Sequence, residues 1–169
     1  MNQMKEIRID KVTLNFGAGK DHNLLNKGIK LLEIVSGVPP VQTTTDKRIP
    51  GWGLRPGLPI GCKVTLRGKK AEELLSRLIK AKDNIIPKSS FDNSGNISFG
   101  IHEYIDIPDA KYDPDIGIIG LQVSVTLKRP GFRIKNRSVK KSKIGKPHMI
   151  TQDDAMNFLN EKFDVKQGE

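Results

Sequence analysis

Strict two-residue alternation leaves a chain little choice of fold. In GIIGLQVSVTLKR, residues 117 to 129, Ile119, Leu121, Val123, Val125 and Leu127 alternate with Gly120, Gln122, Ser124, Thr126 and Lys128. A period of two predicts a strand with one face in a core and one in water. The same pattern recurs in PIGCKVTLR, where Ile60, Cys62, Val64 and Leu66 alternate with Lys63, Thr65 and Arg67. In IRIDKVTLNF, Ile7 and Ile9 hold one phase, and Val12, Leu14 and Phe16 hold the other. The slip at Asp10-Lys11 predicts a bulge or bend, after which Thr13 and Asn15 lie on the polar side. A shorter run sets Ile97, Phe99 and Ile101 against Ser98, Gly100 and His102. Strands that are half-buried rather than wholly apolar belong to an antiparallel sheet covered on one face.

The cover is also written in the sequence. Leu24, Leu25, Gly28, Leu31, Leu32 and Val35 recur at helical spacing, with Asp21 placed to cap the helix and Gly37 to end it. Ala71, Leu74, Leu75, Leu78 and Ile79 form a second stripe. In TQDDAMNFLNEKF, Thr151 is placed as N-cap with Asp154 at the third position, and Ala155, Phe158, Leu159 and Phe163 are the apolar anchors. PPVQTT reads as a short edge strand, where prolines are tolerated. The expected class is α+β: an antiparallel sheet, helices on one face, and the other face open.

Charge divides the chain. The net charge of the 169 residues is +10. Residues 1 to 127 carry 18 basic and 14 acidic side chains, whereas residues 128 to 148 carry nine basic ones and no acid. That stretch, KRPGFRIKNRSVKKSKIGKPH, has too little apolar content to fold alone and reads as an extended arm that orders against an anion. The expected organisation is an RNA-binding α+β domain over 1–128, a basic extended arm over 129–150, and a C-terminal helix over 151–169 packed on the same domain. So large a positive charge points to a polyanionic partner. Cys62 is the only cysteine and sits in the apolar phase, so neither an internal disulfide nor a cysteine-held zinc is expected. No segment approaches the ~20 apolar residues of a membrane span, and the start lacks the apolar core of a signal peptide. The expectation is a soluble cytoplasmic protein.

The polar sides of three strands carry Thr13 and Asn15; Lys63, Thr65 and Arg67; and Gln122, Ser124, Thr126 and Lys128, with no acid among them. Ordinary solvated faces mix both signs of charge. A plate of hydroxyls, amides and cations suits phosphate oxygens and ribose 2′-hydroxyls. It lacks the stacking aromatics of an RRM; Tyr104 is the only aromatic near the right phase and reads as an edge residue. Gln42 in the edge strand, and Arg133, Lys135 and Arg137 in the arm, join the expected rRNA contacts. DKRIPGWGLRPGLP, residues 46 to 59, is a glycine- and proline-rich loop around the only tryptophan. Loops of this kind often carry function. Arg48, Gly51, Trp52, Gly53, Leu54, Arg55, Pro56 and Gly57 are its expected contact residues, unless Trp52 folds back onto the domain.

Signals for an enzyme are weak. His22, His102 and His148 are far apart in sequence, with no metal-ligand spacing. NFGAG and GWGLRPG match neither GxxxxGK[ST] nor GxGxxG. Asp109, Asp113 and Asp115 lack the glutamate that would close an EF-hand. No catalytic residue, cofactor or metal is expected.

Five stretches, VTLNFGAG, SGVPP, RPGLPIGCKVTLRG, SFDNSGNISFGIHEYID and KYDPDIGIIGLQVSVTLKRPG, resemble the ribosomal protein family L-five of the large subunit. The likeness runs over nearly the whole chain and is greatest to the archaeal and eukaryotic branch. It implies a single α+β domain whose sheet binds 5S rRNA and a neighbouring helix of large-subunit rRNA in the central protuberance. It also implies contacts with P-site tRNA, with a small-subunit head protein across the subunit interface, and with other 5S-associated ribosomal proteins. Within the resemblance, Asn15 and Thr65 match positions that touch 5S rRNA, and the loop from Arg48 to Pro59 matches one that approaches the tRNA elbow. Bacterial relatives differ at Val38, where they carry a glutamine, and lack a counterpart of residues 129 to 169. The competing reading is an RNA-binding regulator or RNA chaperone acting away from the ribosome; co-sedimentation with large subunits separates the two.

Overall fold

Five strands form one antiparallel sheet in the computed structural model, which describes residues 2–168. They are β1 (Arg8–Gly17), β2 (Val41–Thr44), β3 (Pro59–Leu66), β5 (Ile97–Ile101) and β6 (Leu121–Lys128), in the order β2-β3-β1-β6-β5. The alternation read from sequence is the alternation of burial: Val12, Leu14, Val64, Val123 and Val125 are all buried, and their neighbours are not. The phase slip is real. Register shifts between Ile9 and Lys11, so Asp10 is the extra residue and the two halves of β1 both keep their apolar side chains inward. The regular part of the last strand is shorter than its alternation, because Ile119 precedes Leu121–Lys128 and accepts a hydrogen bond from the Tyr104 amide at 3.1 Å.

Helices α1 (His22–Ser36) and α2 (Lys69–Lys80) cover the apolar face. The Asp21 carboxylate accepts the amides of Asn23 and Leu24 at 2.9 and 3.3 Å, satisfying donors that the first turn leaves free. Gly37, at φ +65°, ends α1 in the left-handed conformation. Gly28 has a packing role: a methyl group there would overlap the Phe16 ring, so its absence lets helix and sheet approach. α2 begins at Gly68 and buries Ala71, Leu74, Leu75, Leu78 and Ile79. Each fully buried leucine contributes about 1.5–3 kcal/mol of transfer free energy. Arg77 reaches from α2 to the Val35 carbonyl at 3.2 Å and ties the two helices together.

The C-terminal helix α4 (Gln152–Phe163) opens with a reciprocal capping box between Thr151 and Asp154. Ala155, Met156 and Leu159 enter the same core as the sheet, while Phe158 and Phe163 are only half-buried. Phe158 and Phe163 pack against the core from its edge, and Met156 is a further anchor that the sequence reading did not name. Beyond α4, β7 (Lys166–Gly168) pairs in parallel with β4 (Ile85–Pro87), forming a second, two-stranded sheet. Three-residue strands are too short to show a period, so this pairing was not legible.

The basic segment is a closed loop rather than an extended arm. Arg129 is buried, and its guanidinium donates to the Met149 carbonyl at 2.9 Å and to Asp154 at 3.0 Å. His148 Nε2 donates to the Pro130 carbonyl at 2.8 Å, and its ring meets Phe132 edge-on. These contacts bring both ends of the segment together, with a one-turn helix α3 (Arg133–Asn136) between them.

Candidate nucleic-acid interface

Paired residues in antiparallel strands point to the same face, so register decides what the open side presents. One row across the sheet is Thr65, Thr13, Ser124 and Ser98. The next is Val41, Lys63, Asn15 and Gln122, and it ends at Gly100. Lys11 and Thr126 form a third, just past the bulge. Thr13, Asn15, Lys63, Thr65, Gln122, Ser124 and Thr126 are therefore neighbours on one plate, held by backbone pairing alone. The side chains bond only lightly among themselves: Asn15 donates to Gln122 at 3.1 Å, and Ser98 to Ser124 at 3.3 Å. Most of their hydrogen-bonding capacity faces outward. Arg67 lies exposed just beyond the end of β3, and neither it nor Lys63 pairs with a carboxylate among the described residues.

Several expected contacts stand differently. Gln42 pairs with buried Cys62, which puts it on the helix side of the edge strand; Val41, 64% exposed, takes the place on the plate. Lys128 is bound to Asp10 at 2.8 Å, so the bulge brings one acid to the rim of an otherwise acid-free face. Tyr104 is fully buried and accepts the Asp113 amide at 2.8 Å, so it is a core residue rather than an edge aromatic. Lys11 was missed, although a bulge that spends Asp10 puts it in phase with Thr13. Arg133, Lys135 and Arg137 are exposed on the basic loop, with Arg137 donating to the Lys140 carbonyl at 2.8 Å. Together with Lys11, Thr126 and Lys128, Arg133 and Lys135 line a groove that continues the plate past its edge.

The loop from Arg48 to Pro59 is a small projecting hairpin. Ile49 and Leu54 exchange backbone hydrogen bonds at 3.1 Å, and Gly53 turns between them at φ +68°. Leu54 is buried and anchors the loop, so its side chain is no surface contact. Trp52 does not fold back: it is 69% exposed at the tip, flanked by exposed Gly51 and Gly53. Arg48, Arg55, Pro56 and Gly57 are exposed beside it. Cys62 lies on the opposite side of the sheet, and burial pushes its thiol up to about 11. No group of three or more metal-ligating side chains is assembled among the described residues, and no helix is long and apolar enough to cross a membrane.

Comparison with known proteins places the chain in a family. The family described as ribosomal protein L5 matches residues 2–55, and the model for the C-terminus of the same ribosomal family matches residues 59–158. The large ribosomal subunit protein uL5 of Sulfurisphaera tokodaii is 48% identical over 166 residues, covering 98% of this chain and 94% of its own. Those of Methanococcus maripaludis strain C6 and Nitrosopumilus maritimus are each 47% identical and cover 96% of this chain, and 92% and 94% of their own lengths. With both segments matched, and identity near one half along almost the whole length, the chain belongs to the ribosomal protein L5 family of the large subunit.

Proposed function

We propose that the chain is a structural, non-catalytic constituent of the large ribosomal subunit that binds 5S rRNA and large-subunit rRNA through the open face of its sheet, in the central protuberance. The observation that carries this reading is the plate itself. Three adjacent central strands aim hydroxyls, amides and unpaired cations outward, and the single acid nearby is spent on Lys128. Such a surface reads backbone and shape rather than a run of stacked bases. The projecting hairpin with Trp52 at its tip is the proposed contact with P-site tRNA, and the small-subunit head protein and other 5S-associated proteins are the proposed protein neighbours. Thr65→Glu tests the plate. Binding of 5S rRNA should fall at least tenfold in a protein with unchanged circular dichroism, whereas unchanged affinity would falsify the face assignment. Replacing residues 50 to 57 by a short Gly-Ser closure should spare 5S rRNA binding and weaken tRNA retention by assembled ribosomes. Loss of 5S rRNA binding in that folded variant would refute the division between sheet and hairpin.

A further inference from the structure

A cavity of about 510 Å³ opens inside the basic loop, on the far side of Phe132 and Lys135 from the groove that continues the plate. Phe132, Ile144 and Met149 supply apolar walls, and Lys135, Lys141 and Lys143 stand among them. No carboxylate lines the cavity among the described residues. The walls are held by contacts between distant segments. Phe132 is braced edge-on by His148, with ring centroids 5.7 Å apart. Gly95, at φ +74°, lies so close to Ile150 that a Cβ there would stand 2.5 Å from its Cγ2, which seats the turn before β5 directly against the loop.

We infer that this cavity receives one unstacked nucleotide of the RNA that lies on the plate. The inference rests on the rRNA-binding reading above and extends it. A cavity in the range of 300–1,000 Å³ takes a ligand of nucleotide size. A nucleobase offers two apolar faces to the aromatic and aliphatic walls, and its phosphate needs cations at the mouth. Continuity decides for RNA over an acidic peptide. The groove beyond Phe132 carries Lys11, Arg133 and the Lys128–Asp10 pair from the plate to Lys135, which borders both spaces, so a backbone tracking the groove passes the mouth of the cavity.

The test uses the full chain with 13C-labelled isoleucine and methionine methyl groups. It is titrated with each nucleoside 5′-monophosphate, with ribose 5-phosphate and with inorganic phosphate. Nucleotides should move the Ile144 and Met149 methyl resonances by ring current, saturably, with ribose 5-phosphate at least tenfold weaker. Absence of these shifts at millimolar nucleotide, equal binding of ribose 5-phosphate, or shifts with an acidic apolar peptide alone would each overturn the inference. Ile144→Asp, and independently Ser142→Trp to fill the space, should abolish the shifts and weaken rRNA binding roughly tenfold, the worth of one stacked base. Unweakened rRNA binding in both folded variants would also overturn it. Thr65→Glu separates the two readings. It should lose 5S rRNA and keep the nucleotide shifts; if wild-type protein binds neither rRNA yet shows those shifts, the rRNA reading fails and the cavity stands.

Discussion

The sheet face and the base of the basic loop use the same residue types in opposite ways. On the face, Lys63 and Arg67 are exposed; backbone pairing sets where Lys63 stands, and Arg67 follows just past the end of β3. At the base of the loop, Arg129 is buried and holds two carbonyls and a carboxylate that are distant in sequence. A guanidinium in water is free to neutralise phosphate; one out of water spends its donors on the fold, as Arg129 does with both terminal nitrogens while its buried Nε has no partner among the described residues. Positive charge in a sequence therefore divides into charge available to a partner and charge consumed by the fold, and burial and pairing tell them apart.

Arg129→Met should break that division most visibly. It removes the clasp and leaves Asp154 without its cation, at a cost of about 2–4 kcal/mol in urea unfolding, somewhat less than a fully buried pair because Asp154 is partly solvated. Arg67→Ala, the same chemistry on the face, should change stability by less than about 0.5 kcal/mol. A comparable loss from the two substitutions would erase the distinction.

Next in size is the dependence of the clasp on pH. Burial alone would raise the Asp154 carboxyl, but hydrogen bonds with Thr151 and the Arg129 guanidinium outweigh it and hold the group below the usual carboxylate range. A lowered folded value means the contribution is complete above an unfolded value of about 3.9 and is lost as pH falls through the folded one. Amide exchange in residues 146 to 151 should accelerate on acidification below pH ~4 relative to Asp154→Asn, in which that dependence should vanish. Equal acid sensitivity in both proteins would show that Asp154 is not the linked group.

Cys62→Ala probes the underside of the plate. It should cost on the order of 1 kcal/mol for lost buried volume and leave rRNA affinity unchanged. Because burial raises the thiol to about 11, its contribution is whole below the unfolded value and lost as pH climbs from there through 11. Rapid labelling of the native thiol by a bulky reagent at neutral pH would contradict its position. The smallest effect belongs to the salt dependence. Arg67→Ala should lower the slope of log affinity against log salt by about one phosphate contact, and Lys128→Ala by less, since Asp10 already neutralises that lysine. Equal slopes would mean the Asp10 pair opens when RNA arrives.

Much of this is legible in the sequence. Alternation told which side of β1, β3 and β6 is wet, because a period of two admits only one solution once a core exists. The Asp21, Gly37 and Thr151 signals mark helix ends through local hydrogen-bond chemistry, which sequence spacing captures. What stayed hidden depends on contacts between distant segments. Gln42 sits in a short edge strand whose phase is set by its partner Cys62. Tyr104 is buried because the chain at Asp113 returns to its hydroxyl. Leu54 is covered by the hairpin it closes, and the cavity beside Phe132 needs residues near 95, 132 and 150 to meet. The arm reading failed for the same reason: one buried arginine can close a loop that composition alone marks as open.

The parallel pairing of Ile85 with Lys166 has a consequence in time. The two strands are separated by most of the second half of the chain, and a ribosome making ~5–20 residues per second needs roughly 4–16 s to supply what lies between them. Throughout that interval β4 has no mate, although α2, immediately before it, can already pack against β1. Ile86, fully buried in the finished protein, belongs to the strand whose partner is made last. Once β6 has been made, the plate can form while β4 still lacks its strand partner, and chaperone contact late in synthesis should concentrate there.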